Sequence, residues 1–208
     1  QHDSYLLMRT LYISAFMLLF PFLLHAESFP YDNSQTIPAE EKSAVIPQIA
    51  VKTNGLLWLT TVMNGECEVF FRPHISASLS LAWCPWFISK KFALRNLSIM
   101  PEARWWLRTD AKGHFFGLHL SAAWYNVKFG DFRYQDTNHP LLGGGITYGY
   151  YLPLNTYWGI ELSIGAGYLS MRYDKYHNVD NGAKIDTRKT SWFGIDRAAI
   201  SISYRFPR

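Results

Sequence analysis

The sequence predicts an all-β protein: an eight-stranded antiparallel up-and-down β-barrel that crosses a membrane. Three observations point there. Apolar and polar residues alternate with a period of two through most of the chain after residue 50. Apart from the first connection, near Val62 to Asn64, which is short and breaks the pattern, the connections between these segments are short and long in turn. The 208 residues hold only 17% charged side chains but 17% aromatic ones, where a soluble domain carries about 25% charge.

The N-terminal part follows a different pattern. Met8-Arg9-Thr10 is a short positive stretch, Leu11 to Leu24 is apolar, and Leu24-His25-Ala26 ends in a small residue before Glu27. This three-part order predicts a signal peptide over 1–26 that starts at Met8, with Gln1 to Leu7 as upstream read-through. The apolar stretch is short for a bilayer-spanning helix, which needs about 20 residues. No Cys follows the expected cleavage point, so a lipid anchor is not expected. Residues 27–49 contain Pro30, Pro38 and Pro47 and no periodic pattern, and are expected to form a flexible periplasmic leader. The barrel is expected over 50–208.

Eight segments carry the strand pattern: 51–61, 65–72, 75–84, 97–108, 114–127, 141–152, 157–173 and 192–206. The last is the clearest. Ala198, Ile200, Ile202, Tyr204 and Phe206 share one face, while Ala199, Ser201, Ser203 and Arg205 share the other. In the same way Phe116, Leu118, Leu120, Ala122 and Trp124 alternate with Gly117, His119, Ser121, Ala123 and Tyr125. Arg72-Pro73-His74, 109–113 and 153–156 are tight links, whereas 84–96, 128–140 and 174–191 are long. Outer-membrane barrels pair short periplasmic turns with long external loops in this way.

A soluble secreted barrel or sandwich also alternates, and would present many Lys and Glu on its outer face. Here the polar face is mainly Gly, Ser, Thr and Ala. Small residues suit the crowded interior of a narrow barrel without a pore. Trp58, Trp83, Trp86, Trp105, Trp106, Trp124, Trp158 and Trp192 fall near strand ends, where membrane barrels collect amphipathic aromatics.

The blocks Val51-Lys52-Thr53-Asn54, Pro101-Glu102-Ala103-Arg104-Trp105-Trp106, Gly113-His114-Phe115-Phe116-Gly117-Leu118-His119, Gly143-Gly144-Gly145-Ile146-Thr147-Tyr148-Gly149-Tyr150 and Gly165-Ala166-Gly167-Tyr168 resemble the domain-of-unknown-function family 3575. The resemblance covers about Ile49 to Phe206. It implies a small outer-membrane β-barrel of Bacteroides-type Gram-negative bacteria, with genes often near those for fimbrial subunits, and no established activity. Gly55 departs from the Leu expected after Lys-Thr-Asn, and Val62 to Arg72 is diverged.

Lys52, Glu68, Glu102, Arg104, His119, Glu161 and Arg205 fall on the polar side of their strands. Buried charges must be paired or they cost several kcal/mol, so these seven are expected to form an internal ion-pair network rather than a proton path. Lys90, Lys91 and Arg95 lie in a segment without acids, and are expected in an external loop that could meet lipopolysaccharide phosphates. Ser170, Asp174, His177, Asp180, Asp136 and His139 are the nucleophile and base candidates of a lipid-modifying enzyme, but form no recognisable motif. Cys67 is expected to face about residue 79, too far from Cys84 for a bridge. Gly143-Gly144-Gly145 lacks the residues of a phosphate loop and is expected to serve close strand packing. No metal spacing or cofactor motif occurs, so no metal, cofactor or catalytic role is expected. A net charge of +4 is too small and scattered to argue for nucleic acid.

The expected function is therefore that of an integral outer-membrane protein with a filled interior and a structural or loop-mediated role, linked through the family resemblance to fimbria assembly or envelope integrity. The alternatives are an outer-membrane lipid-modifying enzyme and a soluble secreted ligand-binding barrel. Expected partners are outer-membrane lipid, lipopolysaccharide, the barrel-assembly machinery and fimbrial components.

Overall fold

The computed structural model describes residues 47–87, 92–129, 131–136, 139–178 and 183–206. The stretch expected to be a signal peptide, 1–26, and nearly all of the expected leader, 27–49, therefore lie outside the described residues. The described part contains nine strands and one short helix: β1 (Ile49–Asn54), α1 (Gly55–Leu59), β2 (Met63–Arg72), β3 (Ile75–Phe87), β4 (Phe92–Trp106), β5 (Gly113–Phe129), β6 (Phe132–Asp136), β7 (Leu141–Pro153), β8 (Trp158–His177) and β9 (Lys184–Phe206).

All pairings are antiparallel, and they close. Neighbours run β1–β2–β3–β4–β5–β7–β8–β9, and β9 pairs back onto β1 from Ile49↔Phe206 to Asn54↔Ser201. Eight strands thus form a ring, as the alternation predicts. The ninth, β6, is the difference. It lies beyond the end of β7, between Asn126–Phe129 of β5 and Tyr173–His177 of β8.

Three expected long loops are largely strand. β3 continues to Phe87 and β4 starts at Phe92; β8 continues to His177 and β9 starts at Lys184. The β8 and β9 extensions are too polar to show the apolar alternation, and Cys84-Pro85-Trp86-Phe87 and Phe92-Ala93-Leu94 are apolar on consecutive residues, but the backbone groups of both stretches find partners in the ladder. The first expected strand, in contrast, is too long. It stops at Asn54, whose side chain accepts the Leu56 N–H and caps α1. The contiguous Leu56-Leu57-Trp58-Leu59 lacks a period of two and folds as a single turn of helix. The register of β2, the diverged segment, sets Cys67 opposite Leu79, and Cys67 and Cys84 form no disulfide.

The polarity of the ring is inverted relative to a soluble protein. Outward positions are apolar and exposed: Leu118 is 66% exposed and Ile146 68%. Inward positions hold Lys52, Glu66, Glu68, Glu102, Arg104, His119, Glu161, Arg197 and Arg205, all buried. Seven of the eight tryptophans are exposed; Trp106 is the correction, at 0% inside the ring. Its even number puts it on the same face as Glu102 and Arg104, a consequence of the period that its place at a strand end conceals.

Candidate functional site

The interior is built in layers. At the short-turn end an apolar plug comprises Ala50, Phe70, Trp106, Ala111, Phe115 and Tyr151. Trp106 and Phe115 pack with centroids 4.7 Å apart, and the Trp106 Nε1–H donates to Ser76 Oγ at 2.9 Å. Ser76 in turn donates to Glu68, which links the plug to the charges above it. Arg205 belongs to this layer: its guanidinium lies 3.4 Å from the Tyr151 ring centroid and donates to the Ala111 carbonyl at 2.7 Å.

Glycine makes this filling fit. A Cβ on Gly149 would sit 2.3 Å from Phe115 Cζ, and one on Gly159 would sit 2.3 Å from the Tyr151 ring. Gly117 leaves room for the Glu102 carboxylate in the same way. At Gly145 the obstacle is backbone, the Ala166 carbonyl at 2.3 Å, in line with the close strand packing expected of the triple-glycine stretch. Gly149→Ala is expected to cost about 1–3 kcal/mol through overpacking. The temperature at which the folded electrophoretic form is lost should fall, and Phe115→Leu in the same chain should restore part of it.

Above the plug lies the charge network. Lys52 contacts Glu68 at 2.5 Å, Glu66 at 3.5 Å, and Glu161. Arg104 sits among four carboxylates: Glu66 at 2.7 Å, Glu102 at 2.7 Å, Glu161 at 3.1 Å and Glu68 at 3.3 Å. Arg197 reaches Glu66 at 2.9 Å and Glu102 at 3.2 Å. Next to the network, His119 lies between Thr147 Oγ1 at 2.9 Å and Asp196 Oδ2 at 2.8 Å.

Of the seven interior residues named from sequence, Lys52, Glu68, Glu102, Arg104 and Glu161 meet in this network. His119 pairs with Asp196, and Arg205 with the aromatic plug. Three members escape the sequence reading. Glu66 shares the parity of Glu68 and lies in the diverged segment, within the expected strand 65–72, so it was legible in principle. Arg197 shares the parity of Arg205 and was legible in principle. Asp196 was not legible: the register of β8 with β9 steps from Gly165↔Arg197 to Ala166↔Ile195, so a bulge turns two consecutive residues inward.

At the opposite end, Asp174 accepts from Thr187 at 2.6 Å and pairs with Lys184 at 2.7 Å. Its carboxyl lies below the ordinary aspartate range: burial opposes the charge, and the bonds from Lys184 and Thr187 outweigh it. The His177 ring packs on Phe132 with centroids 6.2 Å apart. Asp174 and His177, two of the candidates for a lipid-modifying enzyme, thus have other partners. Arg95 lies on β4 rather than in a loop, because β4 starts at Phe92, and faces the outside of the ring. Lys90, Lys91 and Asp180 lie outside the described residues. Among the described residues no cluster of His, Cys, Asp and Glu could hold a metal ion.

No curated protein and no solved structure gives a significant match to this chain. One family model does, described as "Protein of unknown function (DUF3575)", over residues 26–206. That span starts ahead of Ile49 and includes every residue of the ring interior described above, so the chain belongs to the DUF3575 family.

Proposed function

We propose that the protein is an integral outer-membrane β-barrel with a filled interior, serving a structural or loop-presenting role in the cell envelope. The observation that carries this reading is the inversion of polarity. Leu118, Leu120, Ile146, Leu162, Ile164 and Ile202 point outward and are exposed, while charged residues point inward and are paired. In water each such outward side chain forgoes about 1.5–3 kcal/mol of burial; in lipid it does not.

Two further features support the reading. Exposed outward aromatics gather at both ends of the wall: Trp105, Tyr157, Trp158 and Phe206 at one, and Trp83, Trp124, Tyr168 and Phe193 towards the other. The even-numbered ring has the start of β1 and the end of β9 at one end, together with the links 73–74, 107–112 and 154–157. A pore is not part of the proposal, because the plug and the charge network occupy the interior. No described helix is long and apolar enough to cross a membrane, so crossing falls to the strands.

The test is cell fractionation followed by electrophoresis with and without boiling. The expected result is an outer-membrane protein that migrates differently before and after heating. A soluble protein with one mobility in both conditions would overturn the proposal.

A further inference from the structure

The apolar outer wall ends in a basic pocket. On β5 the outward column Phe116, Leu118, Leu120, Ala122 and Trp124 continues into Asn126 and Lys128. On β4 the outward Trp105 and Leu97 lead to Arg95 and Ala93. Cross-strand pairing aligns Ala93, Lys128 and Arg133 in one row, and Arg95, Asn126 and Gln135 in the next. Ala93, Arg95, Asn126, Lys128 and Arg133 line a cavity of about 160 Å³.

Three cations and no acid line it. Arg133 is held in place, with Nε donating to Asn126 Oδ1 at 3.2 Å, Nη2 donating to Gln135, and the guanidinium over the Tyr176 ring. The acid in the same cross-strand row, Asp174, has its carboxylate engaged by Lys184 and Thr187. The alanine at the base, Ala93, is buried beneath the longer side chains.

The height of the pocket matters as much as its charge. From Phe116 to Trp124 the strand rises about 27 Å at ~3.4 Å per residue. Tilted by about 40°, that column stands about 20 Å tall, close to the apolar band of a membrane barrel. The cations therefore open outward above the band, at the level of the headgroup region and one residue pair below the β5–β6 turn, not into the interior. A phosphate is the anion at that level, and guanidinium and ammonium groups bind it by charge-assisted hydrogen bonds.

We infer that Arg95, Lys128 and Arg133, with Asn126, form a binding site on the outer wall for the phosphate headgroup of a membrane lipid. This inference rests on the outer-membrane reading above. The site would hold lipid against the β4–β5–β6 face, with its third cation carried by the short strand β6.

The experiment uses the full chain folded in detergent, with phosphorylated lipid A and its phosphatase-treated form as probes, and native mass spectrometry to count bound lipid. Electrophoretic heat shift is recorded on every sample. The wild type should retain the phosphorylated lipid and discriminate against the dephosphorylated one. Lys128→Glu with Arg133→Glu should keep the heat shift, since both residues lie above the apolar band, and should lose binding on the order of tenfold or more for the charges reversed. Equal retention by a heat-shifting variant, or equal binding of the dephosphorylated lipid, overturns the site and leaves the barrel standing. A wild type without a heat shift overturns the membrane reading, and the lipid site with it.

Discussion

Replacing Arg104 with alanine is expected to destabilise the protein by at least about 3–5 kcal/mol, the range for breaking a buried ion pair from one side. The reason lies in the number of partners. Arg104 donates through Nε to Glu102 at 2.8 Å, through Nη2 to Glu66 at 2.7 Å and through Nη1 to Glu161 at 3.1 Å, with Glu68 at 3.3 Å. Without it, Glu66, Glu68, Glu102 and Glu161 would face only Lys52 and Arg197 among the bases that contact them. No water replaces the lost guanidinium at low cost, because these side chains are buried and the plug closes the end beneath them. The measurement is the urea midpoint for loss of the folded electrophoretic form. Arg104→Ala should lower it sharply. Adding Glu68→Gln and Glu161→Gln to the same chain should recover part of the loss, because fewer unpaired carboxylates then remain. An unchanged midpoint in Arg104→Ala would mean that the network carries no stability.

Deleting Tyr204 to Arg208 is expected to abolish assembly altogether. The closure of the ring depends on six residue pairs between β1 and β9, Ile49↔Phe206 to Asn54↔Ser201, and the deletion removes three of them. It also removes the Trp158↔Tyr204 pair that starts the β8–β9 ladder, and Arg205 with its bond to the Ala111 carbonyl. An open ring exposes two unpaired strand edges, which lipid cannot satisfy. Pulse-labelled cells should show the truncated chain degraded or aggregated and none of it heat-shifted in the membrane. Point variants separate two causes. Phe206→Ala removes an exposed aromatic ring and keeps the backbone ladder, so it should still assemble. Arg205→Ala leaves the outer surface intact and unseats the plug, so it should assemble and then unfold more easily. Normal membrane levels of the truncated chain would contradict the closure argument.

Much of the fold was legible because a strand in a two-faced sheet imposes a period of exactly one face per residue step, and residues such as Ser201, Ser203 and Arg205 keep that step for the length of the wall. What could not be read follows from the same rule. Polar extensions such as 174–177 and 184–191 have no apolar face to reveal their period, yet they form ladder because their backbone groups need partners. β6 is five residues long and is held by β5 and β8 rather than by any pattern of its own.

By itself the sequence determined the all-β antiparallel class, the strand faces and the identity of most inward charges, since each depends only on local alternation. The tertiary structure alone decided which charges meet. Register brings Lys52 to Glu66 and Glu68 on the neighbouring strand, closure brings Glu161 across to Arg104, and the bulge at Asp196 delivers a partner to His119 against the parity of its strand. These contacts join residues far apart in the chain, and no local periodicity encodes the shear and closure that set them side by side.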